Sequence, residues 1–224
     1  MRRERFATNY VYHIYNRGVD KRNIFTDDRD RIRFIRNLLE FNDQNPALHH
    51  YYKSNFPEVQ PREKPREKIV EILAYCLMPN HYHLFVRQVT DDGAALFMQK
   101  LGTGYTMYFN QRYERNGALF QGRFKSIFVE HDVHFRYLPH YIHLNPLDLT
   151  MPSWRNNRIH KDKAMKDIQN FQWSSIHDYL GQSKFPGIVS TDLITELYPR
   201  GYIKELSDYL SDRDIPRLGD LTLE

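Results

Sequence analysis

The chain has 224 residues, 41% of them hydrophobic and 27% charged, with ten Gly and eleven Pro; such a composition builds a core and excludes a linker or low-complexity protein. The net charge is +4, and its basic excess sits in the front two-thirds: residues 1–150 carry 22 Lys and Arg against 17 Asp and Glu, residues 151–224 carry 10 against 11. A polyanion-binding surface needs such an excess, although solvated Lys and Arg faces produce it too.

Thr8 to Asn16 alternates Tyr10, Tyr12 and Ile14 with Val11, His13 and Tyr15, the aromatic period-2 pattern of a strand that ends at Asn16-Arg17-Gly18. Thr26-Asp27-Asp28-Arg29-Asp30 then opens a helix, with Ile32, Phe34, Ile35, Leu38 and Leu39 at helical spacing to about Phe41. From Asn42 to Lys68 four prolines and a doubled Pro-Arg-Glu-Lys predict an exposed insertion. Ile69–Leu77 and His83–Arg87, joined by Met78-Pro79-Asn80, read as an antiparallel hairpin at the centre of a sheet. A long helix follows from Asp91-Asp92-Gly93 to about Arg115, closed by Asn116-Gly117; then come a short strand at Ser126–Glu130 and a helix from Val133 to about Leu144 that Pro139 breaks or starts.

The order β-α-β-β-α-β-α predicts an α+β fold, an antiparallel sheet of the split β-α-β, ferredoxin-like kind with helices on one face. Residues 1–150 are expected to form this domain, and residues 151–224 a helical C-terminal extension with two helices up to Leu210, docked through Trp173. A single cysteine, Cys76, excludes an internal disulfide and a cysteine-only metal site. No apolar run approaches the roughly 20 residues of a membrane span, and Met1-Arg2-Arg3-Glu4-Arg5 leads into no apolar signal core, so no membrane partner and a cytoplasmic location are expected.

His81-Tyr82-His83 is the sharpest chemical feature. Residues two apart in a strand share a face, so both imidazoles can grip one divalent cation while Tyr82 turns into the core. Two ligands are too few, and a third of amide or carboxylate type with open positions suits Mg²⁺ or Mn²⁺ acting on a phosphate, or zinc. In Tyr141-Ile142-His143-Leu144-Asn145-Pro146, Tyr141 and Asn145 fall four apart on one helical face. An Asn145 oxygen that completes the metal shell places the Tyr141 phenol beside it; the competing reading makes Tyr141 a core residue and Asn145 a helix end. His131 with His134, and His140 with His143, have the i, i+3 spacing of a zinc pair or flank Tyr141 as its environment.

Four segments in order carry a resemblance: Ala74-Tyr75-Cys76-Leu77-Met78-Pro79-Asn80-His81-Tyr82-His83-Leu84, Tyr108-Phe109-Asn110-Gln111-Arg112-Tyr113, Leu119-Phe120-Gln121-Gly122-Arg123-Phe124-Lys125, and Tyr141 to Pro146. Together they resemble the motifs of the single-tyrosine transposases of the HUH endonuclease superfamily, above all the REP-associated tyrosine transposases; Trp173-Ser174-Ser175 and Asp178-Tyr179-Leu180 resemble that branch's tail. The resemblance implies a ferredoxin-like sheet, a divalent metal (Mg²⁺ or Mn²⁺) on His81, His83 and Asn145, and Tyr141 as nucleophile. It implies cutting of single-stranded DNA beside hairpins through a 5′-phosphotyrosine, and a nucleoid-associated place in the cytoplasm. Tyr82 is bulkier than the residue common between such histidines, and Pro139 stands two residues before the nucleophile.

Basic residues interleaved with aromatics suit a strand whose phosphates pair with Arg while bases stack on rings. Arg112, Arg115, Phe120, Gln121, Arg123 and Lys125 form the expected DNA surface, which Arg17, Lys21 and Arg22 extend. The rival class is a domesticated hairpin-binding protein that does not cleave. A histidine phosphoesterase would want two His-X-Ser/Thr motifs, and the chain has none. Monomer and homodimer both remain open.

Overall fold

The alternating aromatic run folds as the inner strand of the sheet. The computed structural model describes residues 6–47, 65–152, 154–155 and 159–211. In them β1 (Val11–Arg17), α1 (Asp28–Glu40), β2 (Val70–Met78), β3 (His81–Gln88), α2 (Gly93–Arg112), β4 (Lys125–Phe128) and α3 (Asp132–Leu144) follow one another. The four strands are antiparallel in the order β2-β3-β1-β4, the ferredoxin-like arrangement that the α+β reading called for. Beyond α3 lie α4 (Leu147–Thr150), α5 (Lys161–Asn170), α6 (Ile176–Tyr179), α7 (Asp192–Thr195) and α8 (Tyr202–Ser211), more and shorter helices than the two expected.

Strand alternation divides the side chains between two cores. Tyr12, Ile14, Tyr75, Leu77, Tyr82, Leu84 and Val86 face α1 and α2 and pack with Phe34, Leu38, Phe97, Leu101 and Tyr105. Ala74, Cys76, Met78 and Phe85 face the other way, onto Leu138, Tyr141 and Ile142 of α3 and onto Ile168, Ile176 and Leu206 of the C-terminal helices. The sheet is therefore covered on both faces: the two crossover helices take one, and α3 with the chain after it takes the other. Pro139 neither starts nor ends α3, which continues through it.

The hairpin is not central in both strands. β3 lies inside the sheet, while β2 is its outer strand, and its free edge is met by Trp173–Ser175: Leu77 N donates to Trp173 O at 2.9 Å and Ser175 N to Tyr75 O at 3.0 Å. That pairing satisfies backbone groups that would otherwise template aggregation. Nor is the segment from Asn42 exposed throughout. Asn42 and Asp43 are buried, and the Asn42 amide bridges the return of the chain, donating to Val70 O (2.8 Å) and accepting from the N–H groups of Ile69 (3.1 Å) and Val70 (3.0 Å). The middle of the expected insertion, residues 48–64, lies outside the described residues.

Helix α1 starts where its acidic signal places it. Asp27 caps it, its carboxylate accepting from Arg29 N and Asp30 N. Two glycines of α2 differ in what surrounds them: a Cβ on Gly104 would stand 2.5 Å from Phe41 Cζ, whereas one on Gly102 meets nothing within 4 Å. Gly104→Ala is expected to destabilise by about 1–3 kcal/mol through overpacking against a fully buried ring. Gly102→Ala is expected to stabilise by roughly 0.5–1 kcal/mol through helix propensity. Urea unfolding of both variants checks this, and equal shifts would contradict the close approach of α1 and α2.

Candidate active site

Three histidines and one tyrosine meet where α3 crosses the inner strands. Alternation on β3 puts His81 and His83 on the face opposite Tyr82, with ring centroids 5.0 Å apart, while Tyr82 packs against Phe34 and Phe120 as expected. The β1–β3 register sets Arg17 opposite His81 and Tyr15 opposite His83. His13, diagonal to His83, bonds through Nε2 to His83 Nδ1 at 3.0 Å. Helix α3 lays Tyr141 over this pair: its ring centroid is 5.5 Å from that of His83 and 5.9 Å from that of His13, edge to face in both cases. The Arg155 guanidinium carbon stands 5.3 Å from the Tyr141 centroid on the side toward the C-terminal segment, steadied by Asp148 (2.8 Å) and stacked on Trp154.

These contacts orient the imidazoles. Asn80 Nδ2 donates to Lys21 O (3.2 Å), which turns Asn80 Oδ1 toward His81 Nδ1 at 2.6 Å, so His81 donates from Nδ1. His83 Nε2 is buried without a hydrogen-bond partner, and Nδ1 is engaged by His13. Burial holds the His83 pKa well below the ordinary histidine value, with His13 and His81 adding to the effect, and burial lowers His13 to about 3. Burial thus favours the neutral form of His13 and His83, and the tautomer of His83 that donates from Nδ1 to His13 leaves Nε2 to bind. Metal-ligating histidines are commonly fixed in this way through their other nitrogen.

Two imidazole nitrogens therefore fit a divalent cation. Among the described residues no group of three or more His, Cys, Asp and Glu is arranged to hold one. Further donors would have to be amide oxygen, water or substrate. Asn145, buried at the end of α3, donates from Nδ2 to Tyr141 O at 2.8 Å; this turns the amide back on its own helix and leaves Oδ1 as its remaining polar atom. The other histidine pairs do not assemble a site: His143 is consumed by Tyr202 and Ser175, and the rings of His131 and His134 meet edge to face with centroids 5.4 Å apart.

The expected DNA-contact residues divide. Arg17, Gln121, Arg123 and Lys125 border the histidines. The loop before β4 docks on β1 through Gln121 N to Arg17 O (2.9 Å) and Asn16 Nδ2 to Gly122 O (3.1 Å), and the Lys125 ammonium lies 5.7 Å from the centroid of Tyr15. Gln121, Arg123 and Lys125 are exposed. Arg22 sits in the turn after β1 with an open ion pair to Asp20 at 3.6 Å, and Arg115, three residues past the end of α2, lies over the ring of Phe109.

Two residues leave that surface. Phe120 is a core residue packed on Tyr82 and Tyr105. Arg112 is spent on Asp27 (2.5 Å) and the fully buried Asp30 (2.7 Å), which also accepts from Tyr108 and Tyr113. That fork holds Asp27 below the usual carboxylate range and raises Arg112. Arg112→Met is expected to cost about 3–5 kcal/mol, because the buried Asp30 loses its counter-charge. DNA affinity at temperatures below the transition is expected to be unchanged; a filter-binding assay that shows a large loss would return Arg112 to the interface.

Residues 7–145 match the family described as Transposase IS200 like. The chain belongs to the IS200-like transposases. Among solved structures it is similar to a REP-associated tyrosine transposase bound to a REP hairpin, with 14% identity over 87% of this chain and 92% of that chain and a TM-score of 0.49. No curated protein sequence matches the chain. Among the described residues no helix is long and apolar enough to cross a membrane.

As an IS200-like transposase the chain is a DNA-processing protein, and the family match ends at Asn145, the last residue of the Tyr141 helix turn. Sequence reading had not singled out His13, Asn80 and Arg155. His13 was findable, since the alternation in β1 already put it on one face with Val11 and Tyr15. Asn80 was read only as a turn residue, and Arg155 carries no local signal because only folding brings it to the phenol.

Proposed function

We propose that the protein is a metal-dependent single-strand DNA endonuclease and strand transferase of the REP-associated branch, with Tyr141 as nucleophile. The observation that carries this reading is the meeting of a helical tyrosine with two histidines, His81 and His83, that share one face of a different element. The four ordered motifs support the branch and hence a single-stranded substrate bearing REP-like hairpins. Family membership supports DNA as the partner.

A cation held by His81, His83 and Asn145 Oδ1, Mg²⁺ or Mn²⁺ by the chemistry of the donors, would neutralise the scissile phosphate and make its phosphorus electrophilic. Tyr141 Oη attacks the phosphorus; the new O–P bond forms as the bond to the 3′ oxygen breaks, and the phenolic proton is balanced by the one taken up by the released 3′ hydroxyl. The product is a 5′-phosphotyrosine, which conserves the phosphodiester energy so that a 3′ hydroxyl of another strand can reverse the step. A free phenol has a pKa of about 10 and is a weak nucleophile, so its surroundings matter. The Arg155 guanidinium stands over the face of the ring and holds it in place. His13 and Asn80 engage Nδ1 of the two imidazoles and so orient the rings. Arg17, Arg123 and Lys125 would take the phosphates on either side, with Tyr15 as a stacking platform.

The test is to mix the protein with a labelled hairpin oligonucleotide and Mg²⁺ or Mn²⁺ and look for an SDS-resistant adduct that chelator prevents. Tight hairpin binding with no adduct under any divalent metal would sink the reading in favour of a non-cleaving binder.

A further inference from the structure

The two side chains that hold His143 on the Tyr141 helix, Ser175 and Tyr202, lie beyond the family match. His143 sits two residues after Tyr141, fully buried, and its ring is held at both nitrogens: Nδ1 lies 2.5 Å from Tyr202 Oη, and Nε2 lies 2.7 Å from Ser175 Oγ. Ser175 resolves the direction of this chain. Its Oγ accepts from Tyr75 N at 2.8 Å and donates its only proton to Tyr75 O at 3.2 Å, so toward His143 it acts as acceptor. His143 therefore carries its proton on Nε2, and Tyr202 Oη donates to Nδ1. The relay Tyr202, His143, Ser175, Tyr75 runs from α8 through α3 to the outer strand β2, with a partner at each ring nitrogen of His143 and at the Ser175 hydroxyl.

The geometry points to a positioning role for this relay: Ser175 and Tyr202, through His143, fix the rotation of α3 that keeps the Tyr141 phenol over His83. The inference rests on Tyr141 being the nucleophile. Three observations favour positioning over mere filling of the core. First, a helix has one rotational freedom that apolar contacts specify loosely and a pair of directional hydrogen bonds specifies closely. His143 and Tyr141 are two positions apart, so they lie on different sides of α3 and a lock at one sets the angle of the other. Second, Ser175 is bonded to the backbone of β2, whose neighbour β3 carries His81 and His83, so the lock refers the helix to the same sheet as the metal-binding pair. Third, His143 is fully buried with a partner at each ring nitrogen, so the ring is fixed in rotation as well as in position.

Ser175→Ala, Ser175→Thr, Tyr202→Phe and Tyr141→Phe variants of the full chain test it, with three readouts: hairpin affinity, single-turnover adduct formation at saturating hairpin, and the nuclear Overhauser contact between the Tyr141 and His83 rings. Ser175→Ala and Tyr202→Phe are expected to slow adduct formation by roughly ten- to fiftyfold, as the loss of one buried hydrogen bond allows, with hairpin affinity within about twofold and the ring contact weakened. Ser175→Thr, which keeps the hydroxyl, is expected to retain most of the rate. Unchanged rate and ring contact in both deletions would overturn the proposal. So would parallel loss of binding and rate, which marks a folding role. Adduct formation that survives Tyr141→Phe would refute the nucleophile instead, while the ring contact reads the positioning role with no DNA present.

Discussion

Tyr141→Phe is expected to abolish covalent adduct formation, a loss of at least about a thousandfold, with hairpin affinity retained. The phenol oxygen is the only atom removed. The ring that packs edge to face on His83 and His13 stays, as does its membership of the core that joins the sheet to α3. Stability should change by about 1 kcal/mol or less, the net worth of one hydroxyl. The two outcomes are thereby separated: folding and binding survive while chemistry stops. Labelled hairpin with a 5′-extending strand, quenched in SDS, reads the adduct directly. An adduct that persists in this variant would move the nucleophile elsewhere, and the proximity of the phenol to the histidines would then be only packing.

The second large effect is on acid stability. His140 and His143 are both buried and both lowered to about 3, chiefly by desolvation. In the unfolded chain the same rings titrate near 6.5. A base with a depressed folded pKa binds protons more readily when unfolded, so its contribution is intact above about 6.5 and is lost as pH falls from there toward about 3. At pH 5 each ring costs about 2 kcal/mol, roughly 4 kcal/mol for the pair, against a typical total of 5–15 kcal/mol. His13, also lowered to about 3, acts in the same direction, while the half-buried Asp178, raised by desolvation, opposes it.

The groups that face the pair are mainly aromatic rings and hydroxyls, and His140 also lines a cavity together with Arg136, Arg200, Glu205 and Asp208. His140 lies among the rings of Tyr137, Tyr198, Tyr202 and Tyr209, and His143 contacts Tyr202, Ser175 and Tyr179. Thermal unfolding followed at pH 7 and pH 5 is expected to show a Tm lower by about 10 °C at the acid value, since a domain of this size shifts roughly 2–4 °C per kcal/mol. Replacing His140 by Phe should remove roughly a quarter to a third of that dependence, because His143, His13 and His83 act in the same direction. A Tm that is flat between the two pH values would show that the rings are not desolvated as their surroundings imply.

Legibility differed between elements for physical reasons. Strand alternation is local and strict, so the face shared by His81 and His83 and the burial of Tyr82 followed from spacing alone. The Asp27 cap and the turn at Pro79-Asn80 were legible for the same reason: one residue's backbone chemistry decides them. Arg112 and Phe120 were misplaced because a basic residue beside an aromatic at a helix end looks the same whether it meets phosphate or a buried carboxylate. Asp30, eighty-odd positions away in the chain and fully buried, decides for the carboxylate. Asn42 was assigned to an exposed segment on its polarity and the prolines after it, yet its amide closes the chain on Ile69 and Val70, a long-range pairing that composition does not encode.

Hydrophobic period and turn chemistry thus determined the order β-α-β-β-α-β-α, the hairpin that bears the two histidines and the helix that bears Tyr141, because each depends on neighbours within a few residues. Tertiary structure alone decided that α3 crosses to the second face of the sheet, that His13 shares a proton with His83, and that Arg155, Ser175 and Tyr202 close around the helix from beyond the family match. Those contacts join segments that meet only when apolar surface on both faces of the sheet has been buried, and no local pattern carries the register of that meeting.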